Sequence, residues 1–519
     1  MSLARDITTV GGGTLMSRLL AYLRDAWIAA LLGAGPYSEA FFVVLQVVNF
    51  FRRLLSEGAM NSAFVPIWLK LRAGKDGIAN ANRFTMRAML VIGIVTGIVV
   101  LVATVFSPLI VATIAPGFQP AQKGHTEFLL IVAAPYILLA GLVAVVAAAL
   151  NAEGRVFAVA VSTVVFNVIL LIALGFVAKE SDEVWITIWL AIAIVFAGFV
   201  QFLIAVIALA TGTRWQRVRV RVPDQTGAFF KRALPGLIAT GIPQLKLIAA
   251  TAIASASPAA VSWLYYANRL YELPLGVASV AIAAAIVPRI SAAVHAGGNA
   301  PAAQSRAYEI ALGLALPAAA GFALLADPIA GGLFERGAFT TTDTTAVATA
   351  LAAISAGLPG HALEKVFGAV SFAHEDTFTP MLSALCGLVA AIAGGVLLFP
   401  RYGHVGVAAA IAISAWAGAA LLGAILYRRR WLRLDSTAVR RLPRIVAATA
   451  AMAGAVALGL TASRMLYPAA AWSTQWASLG RLGILIVLVA LGVATYTAAL
   501  HALDVAKFKD LATALRSRK

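Results

Sequence analysis

Between Thr14 and Pro66, two otherwise apolar stretches carry Arg18, Arg24, Asp25, Glu39, Arg52, Arg53 and Glu57. A charge at the centre of a bilayer costs about 2.5–3.5 kcal/mol on insertion scales, so ionised residues at that depth face water, a partner or a ligand. Four arginines in neighbouring stretches predict anion binding. A guanidinium stays charged at any relevant pH and pairs bidentately with phosphate or carboxylate. Arg18 and Asp25, seven residues apart, share a helical face, and Arg24 lies about a third of a turn from both. Arg18 and Arg24 can thus face one cavity while Asp25 holds a guanidinium in place. Arg53 and Glu57 are spaced i,i+4, close enough for an ion pair. That leaves Arg52 without a local partner and makes it the better ligand candidate. A purely structural pair, with arginine reaching outward to water, is the competing reading for Arg53 and Glu57.

A second group lies in SWLYYANRLYELP, Ser262 to Pro274. Arg269 and Glu272 are i,i+3 neighbours, and Tyr265, Tyr266 and Tyr271 offer hydroxyls or ring faces. Lys246 is the one charge in IPQLKLIAATAIAS, and Glu364-Lys365 reads as a local pair inside a bundle. The six histidines are scattered and form no metal-binding array, and one cysteine excludes an intramolecular disulfide. No nucleophile is set among clustered carboxylates, and no phosphate-binding Gly-rich loop is present. Catalysis, ATP-driven transport and a cofactor are therefore not expected. Three or four arginines converging from separate helices suit a diphosphate better than a single carboxylate. A lipid-linked diphosphate would place its anion there and leave its chain in the bilayer.

The elements that must position these residues are membrane helices. The chain is 61% hydrophobic and 12% charged, with a mean hydropathy of +0.91; soluble domains carry about 25% charged residues. Apolar runs of about 20 residues, enough to cross the hydrocarbon, recur without the period-two alternation of a membrane barrel. The pattern predicts an all-α polytopic protein of fourteen spans near 7–33, 38–69, 84–114, 126–150, 156–178, 184–211, 228–254, 258–290, 304–328, 344–373, 377–399, 404–427, 444–466 and 476–503. Breakers at Gly33–Pro36, Ala115–Gly117, Asn151–Gly154 and Pro400–Gly403 separate several of them. With the N-terminus in the cytoplasm, 27 of the 40 Lys and Arg residues fall on the cytoplasmic side and 6 on the other. That asymmetry fits one topology, with both termini cytoplasmic. The net charge of +18 is then topogenic and lies beside anionic lipid, so no nucleic-acid partner is implied. Basic connections at 212–227 and 428–443 divide the chain into a first lobe, 1–211, a second lobe, 228–427, and a terminal helix pair with its tail, 444–519. The two six-helix lobes would meet at the site.

The stretches SRLLAYLRDAWIAALLGAG, EAFFVVLQVVNFFRRLLSEGAMNSAFVPI and VSWLYYANRLYELPLGVASVAIAAAIVPRIS resemble the MurJ (MviN) family of lipid II flippases. That family lies within the multidrug/oligosaccharidyl-lipid/polysaccharide exporter superfamily. The likeness spans essentially the whole chain, including APGF at 115–118, PYILL at 135–139 and DTFTP at 376–380. It implies two lobes, a terminal pair flanking a groove for the polyprenyl tail, and movement of lipid II (undecaprenyl-diphosphate-linked disaccharide peptide) to the outer leaflet of the bacterial inner membrane. It also implies a monomer whose partners are lipid II and membrane lipids. The family's cavity arginines match Arg18, Arg24, Arg52 and Arg269, and its acidic position at the start of the second span matches Glu39. Asp25, Arg53, Glu57, Lys246 and Glu272 would support or gate the site. Asn268 stands where many relatives have an acid. In span seven, Lys246 and alanines replace the acid of a sodium site; Lys246 reads as a tethered ammonium, a second phosphate contact or a structural residue.

Overall fold

The computed structural model describes residues 3–74, 77–180, 182–212, 226–285, 290, 292, 300–432, 435–466 and 477–505. Within them, the side chains of residues 3–11, 14, 57–59, 61–62, 212, 226–236, 238–239, 277–285, 300 and 477–479 are not described. Most of the basic connection at 212–227 and the C-terminal tail lie outside these residues. Among the described residues, every regular element is a helix. Among these same described residues, nine stretches are long and apolar enough to cross a membrane. The protein is a multi-pass membrane protein.

The expected spans are subdivided by features of the chain itself. Helix α1 runs Leu3–Leu32 and α2 Pro36–Arg53. A π-helical turn, Leu54–Ala59, then leads into α3, Met60–Arg72. The third passage is α4, Gly77–Val105, and α5, Ser107–Ile114; the fourth is α6, Pro120–Ala133, and α7, Pro135–Ala152. Both breaks place a proline in the first turn of the following helix, where its missing N–H leaves no bond unmade. Helices α8, Val156–Val177, α9, Glu183–Gly212, α10, Thr226–Ala254, and α11, Ala260–Ala285, follow. Next come α12, Ala300–Phe334, α13, Thr341–Ser355, and α14, Leu358–Ala373. The 51-residue helix α15, Phe378–Arg428, is kinked at Gly403, whose φ of 56° and ψ of −138° leave helical geometry. It therefore covers two expected spans. The chain closes with α16, Ser436–Leu466, and α17, Ala477–Ala502.

The helices form two compact units, Met1–Ser262 and Trp263–Lys519. In the first, α1 packs on α8, α8 on α9, and α7 on α4 and α9, while α10 lies against α2, α3 and α5. Its core includes Met60, Phe64 and Trp68 of α3 with Phe84 and Ile92 of α4 and Val145 and Leu150 of α7. Phe64 and Phe84 stack at 4.9 Å. The loop after α5 is held just as closely. Gly117 N–H donates to Ser255 Oγ at 3.0 Å, and a Cβ on Gly117 would sit 2.4 Å from the Ser255 carbonyl oxygen. The clash is with backbone, which cannot swing aside.

In the second unit α12 is the hub, contacting α13, α14, α16 and α17. Arg481 of α17 reaches Glu335 at 2.5 Å, and Arg441 of α16 reaches Glu309 of α12 at 3.2 Å. Tyr266 of α11 packs on Phe334 and Phe339. Between α14 and α15, Asp376 accepts from the Phe378 and Thr379 amides at 3.0 Å, from the Thr379 hydroxyl and from Arg429. The neighbouring Trp431 stacks on His374 at 4.2 Å. Burial works against the Asp376 charge, but the Thr379 and Arg429 hydrogen bonds outweigh it and hold the carboxyl below the usual carboxylate range.

Two outcomes follow for stability. Gly117→Ala is expected to lower the thermal unfolding midpoint in detergent clearly, where an exposed glycine such as Gly454 tolerates the same change. A depressed folded-state pKa contributes stability above the unfolded value that is lost as pH falls through the folded value. Wild-type midpoints should thus drop on acidification below about pH 5, and Asp376→Asn should show a shallower drop over that window.

Candidate functional site

The arginines expected to share one cavity fall into two physical classes. Arg24 of α1 is 5% exposed and Asp25 fully buried. Arg24 donates to Asp25 Oδ1 through Nε at 2.9 Å and Nη2 at 2.6 Å. Its Nη1 reaches Asn167 Oδ1 of α8 at 3.1 Å. Asn167 in turn donates through Nδ2 to Ser17 O at 3.2 Å and Ser17 Oγ at 3.1 Å, and Ser17 Oγ donates to Thr163 O at 3.3 Å. This network ties the charge pair into the α1–α8 seam. Asp25 holds the adjacent Arg24, whose long side chain folds back along the helix, and Arg24 lies inside the packing.

Arg18, two turns earlier on the same helix, is half-buried and makes no hydrogen bond or ion pair among the described residues. Arg52 is half-buried near the end of α2 and bonds Asn49 Oδ1 at 3.1 Å, a neutral partner that fixes the guanidinium without discharging it. Deeper in the same unit, the Tyr136 hydroxyl of α7 meets Gln201 Oε1 at 3.4 Å. Arg53 is half-buried beside Arg52. The Glu57 side chain lies outside the described residues, so the expected Arg53–Glu57 pair does too. The π-helical turn begins directly after Arg53.

Glu39 is buried at the start of α2. Its carboxylate accepts from Gln122 Nε2 of α6 at 3.1 Å and from the Val261 amide in the first turn of α11 at 3.1 Å. Beside it Ser38 Oγ lies 3.0 Å from Ser262 Oγ. An anion at a helix N-terminus is favoured by the free amides and the helix dipole. Lys246 is half-buried on α10, and one turn on Thr251 donates to Gln46 Oε1 of α2 at 2.7 Å. In the second unit Arg269 pairs with Glu272 at 3.4 Å, the two side chains 20% and 27% exposed. Glu364 and Lys365 do not form a pair within the bundle. Lys365 is exposed, while Glu364 meets Ser383 of α15 at 3.4 Å, because adjacent residues on a helix point about 100° apart.

The residues that sequence reasoning passed over are Asn167, Ser17, Asn49 and Gln122. Asn167 had a signal: it is the one amide in an otherwise apolar span, VFAVAVSTVVFNVILLIALGFV. Among the described residues, no group of His, Cys, Asp and Glu side chains could hold a metal ion.

The family model described as Lipid II flippase MurJ matches residues 28–472. The chain belongs to the MurJ family. A "Probable lipid II flippase MurJ" of Rhizobium meliloti (strain 1021) is 38% identical over 464 residues, covering 88% of this chain and 86% of that protein. Among solved structures, "Lipid II flippase MurJ, inward closed conformation" superposes with a TM-score of 0.79 at 21% identity, over 97% of this chain and 99% of the other. An inward-facing multidrug resistance MATE family transporter of the MOP superfamily shares the fold more distantly. Its TM-score is 0.64 at 15% identity, over 80% of this chain and 94% of the other. MurJ is the name of a transporter family and not of an enzyme family.

The two classes of arginine predict opposite stability effects. Asp25→Ala, which strands a buried charge, should cost about 3–5 kcal/mol, and Asn167→Ala about 1.5–3 kcal/mol. Arg18→Ala should leave thermal unfolding in detergent unchanged or raise its midpoint. Equal losses for Arg18→Ala and Asp25→Ala would contradict this division.

Proposed function

We propose that this protein moves lipid II from the cytoplasmic to the outer leaflet of the bacterial inner membrane by alternating access, with arginine side chains taking the diphosphate. Membership of the MurJ family across residues 28–472 supports the transport reading. The observation that carries the anion assignment is the state of Arg18 and Arg52, half-buried guanidiniums on α1 and α2 without a carboxylate partner among the described residues. Each retains a full positive charge that a phosphate oxygen would satisfy bidentately. Arg24 and Arg269, whose charges are already answered by Asp25 and Glu272, would exchange those carboxylates for substrate phosphate as the cycle proceeds. Glu39 would bear on gating, because its carboxylate holds the first turns of two helices.

Energy for outward movement is available without ATP. An anion leaving an inside-negative compartment gains about 2.3 kcal/mol per charge per 100 mV. A diphosphate carrying two charges gains roughly 4–5 kcal/mol at that potential, provided the protein's own charges do not move in opposition. Both termini lie in the cytoplasm in this reading, as the distribution of Lys and Arg requires, and the protein acts as a monomer.

The test is outward movement of labelled lipid II in vesicles containing the purified protein. Arg18→Ala, Arg24→Ala, Arg52→Ala and Arg269→Ala should each abolish it, with Arg18→Ala and Arg52→Ala keeping wild-type thermal stability. Normal movement in three of the four variants would end the arginine–diphosphate assignment.

A further inference from the structure

The second unit contains a cluster of titratable side chains for which the anion site has no use. His361, in the first turn of α14, meets the Tyr271 hydroxyl of α11 at 2.6 Å through Nδ1. The two rings stand edge to face with centroids 5.9 Å apart, and Tyr271 is 3% exposed. Glu364 follows His361 by three residues and so lies on the same side of α14. From α15, Ser383 donates its hydroxyl to Gly418 O at 2.8 Å and lies 3.4 Å from Glu364 Oε1. Three helices thus bring an imidazole, a phenol, a carboxylate and a hydroxyl together, and two of them, α14 and α15, belong to stretches long and apolar enough to cross a membrane. Ionisable side chains in the helices of a membrane protein mark ion or proton pathways.

The surrounding charges are largely committed elsewhere. On α11, Arg269 and Glu272 pair with each other. On α12, Tyr308 packs against Phe367 of α14, and Glu309 is held by Arg306 and Arg441. On α15, Cys386 lies one turn beyond Ser383, and His404 bonds Ala346 O through Nε2. Lys365 is exposed.

We propose that His361, with Tyr271 and Glu364, is a binding site for a coupling proton. With the imidazole neutral, Nε2 carries its proton and Tyr271 donates to Nδ1. A proton taken up at Nδ1 converts that nitrogen from acceptor to donor, and its N–H then points at the Tyr271 oxygen. The tyrosine keeps its own proton, which must rotate to another acceptor, and the Glu364 carboxylate is the near anion. One proton is bound, no bond to carbon changes, and the hydrogen bond between α11 and α14 reverses direction. The added positive charge is offset by Glu364. Histidine is the side chain whose unperturbed charge change falls between about pH 5 and 8, so the reversal is accessible to a cell's pH difference. Where the proton binds stands on this geometry alone; that it drives transport rests on the lipid-flipping reading above.

Two measurements separate these parts. NMR titration of the purified full-length protein labelled with ¹⁵N-histidine should show a resonance, missing in His361→Gln, that moves as pH falls and whose midpoint differs in Tyr271→Phe. A His361 signal that stays fixed between about pH 5 and 8 overturns the site. In vesicles with the membrane potential clamped, an imposed pH gradient should change the rate of labelled lipid II movement several-fold in wild type. The ratio of rates with and without the gradient should fall to one in His361→Gln, whatever its absolute rate. A wild-type rate indifferent to the gradient, or an equal ratio in the variant, overturns the coupling. A titrating His361 in a protein that moves no lipid II supports the proton site and counts against the transport reading.

Discussion

A guanidinium inside a membrane protein must be answered by something, and how each one is answered organises this structure. Arg24 is answered internally by Asp25 and Asn167. Arg269 is answered by Glu272 one turn away. Arg52 is steadied by an amide that leaves its charge intact, and among the described residues Arg18 has neither. In a medium where a stray charge costs several kcal/mol, the anion site proposed above is what would answer Arg18 and Arg52. The ends of α2 are fixed by Glu39 at one side and by the aromatic core of α3 at the other.

The same logic separates support from recognition. Neutralised pairs such as Arg24–Asp25 and Glu309 with Arg306 and Arg441 hold helices in register, because each charge finds its partner in a fixed direction. Breaking one leaves a buried charge exposed to hydrocarbon, which is why such pairs resist substitution. An arginine without a carboxylate has no such structural role, and removing it relieves the fold. In the site proposed above, stability and activity would therefore pull in opposite directions at Arg18 and in the same direction at Arg24.

Much of the fold was legible in the sequence because apolar length is a one-dimensional property. The breaks at Gly33–Pro36 and Pro400–Gly403 could be read from residue types, and Gly403 adopts the left-handed φ its type permits. The interruptions at Phe106 and Ala134 were less visible, since a proline admitted to the first turn of a helix does not interrupt an apolar run. Among the candidate residues, spacing along one helix fixed the angle between side chains but not which neighbour each would meet. One answer to Arg24 beyond its own helix came from Asn167, 143 residues away, and Tyr271 found His361 across 90 residues. No periodicity encodes such pairings; they follow from which helices lie side by side.

The π-helical turn at Leu54–Ala59 holds one residue more than an α-helix would over the same rise. On one side, Phe64 and Trp68 are locked into the core; on the other, the start of α2 is anchored through Glu39. Were the turn to tighten into α geometry, the surplus residue would pass toward one end, twisting the backbone there by about 100° and sliding it about 1.5 Å. Arg52 and Arg53 stand directly at that joint. The chain thus carries, next to two neighbouring arginines, a crank whose throw is a single residue.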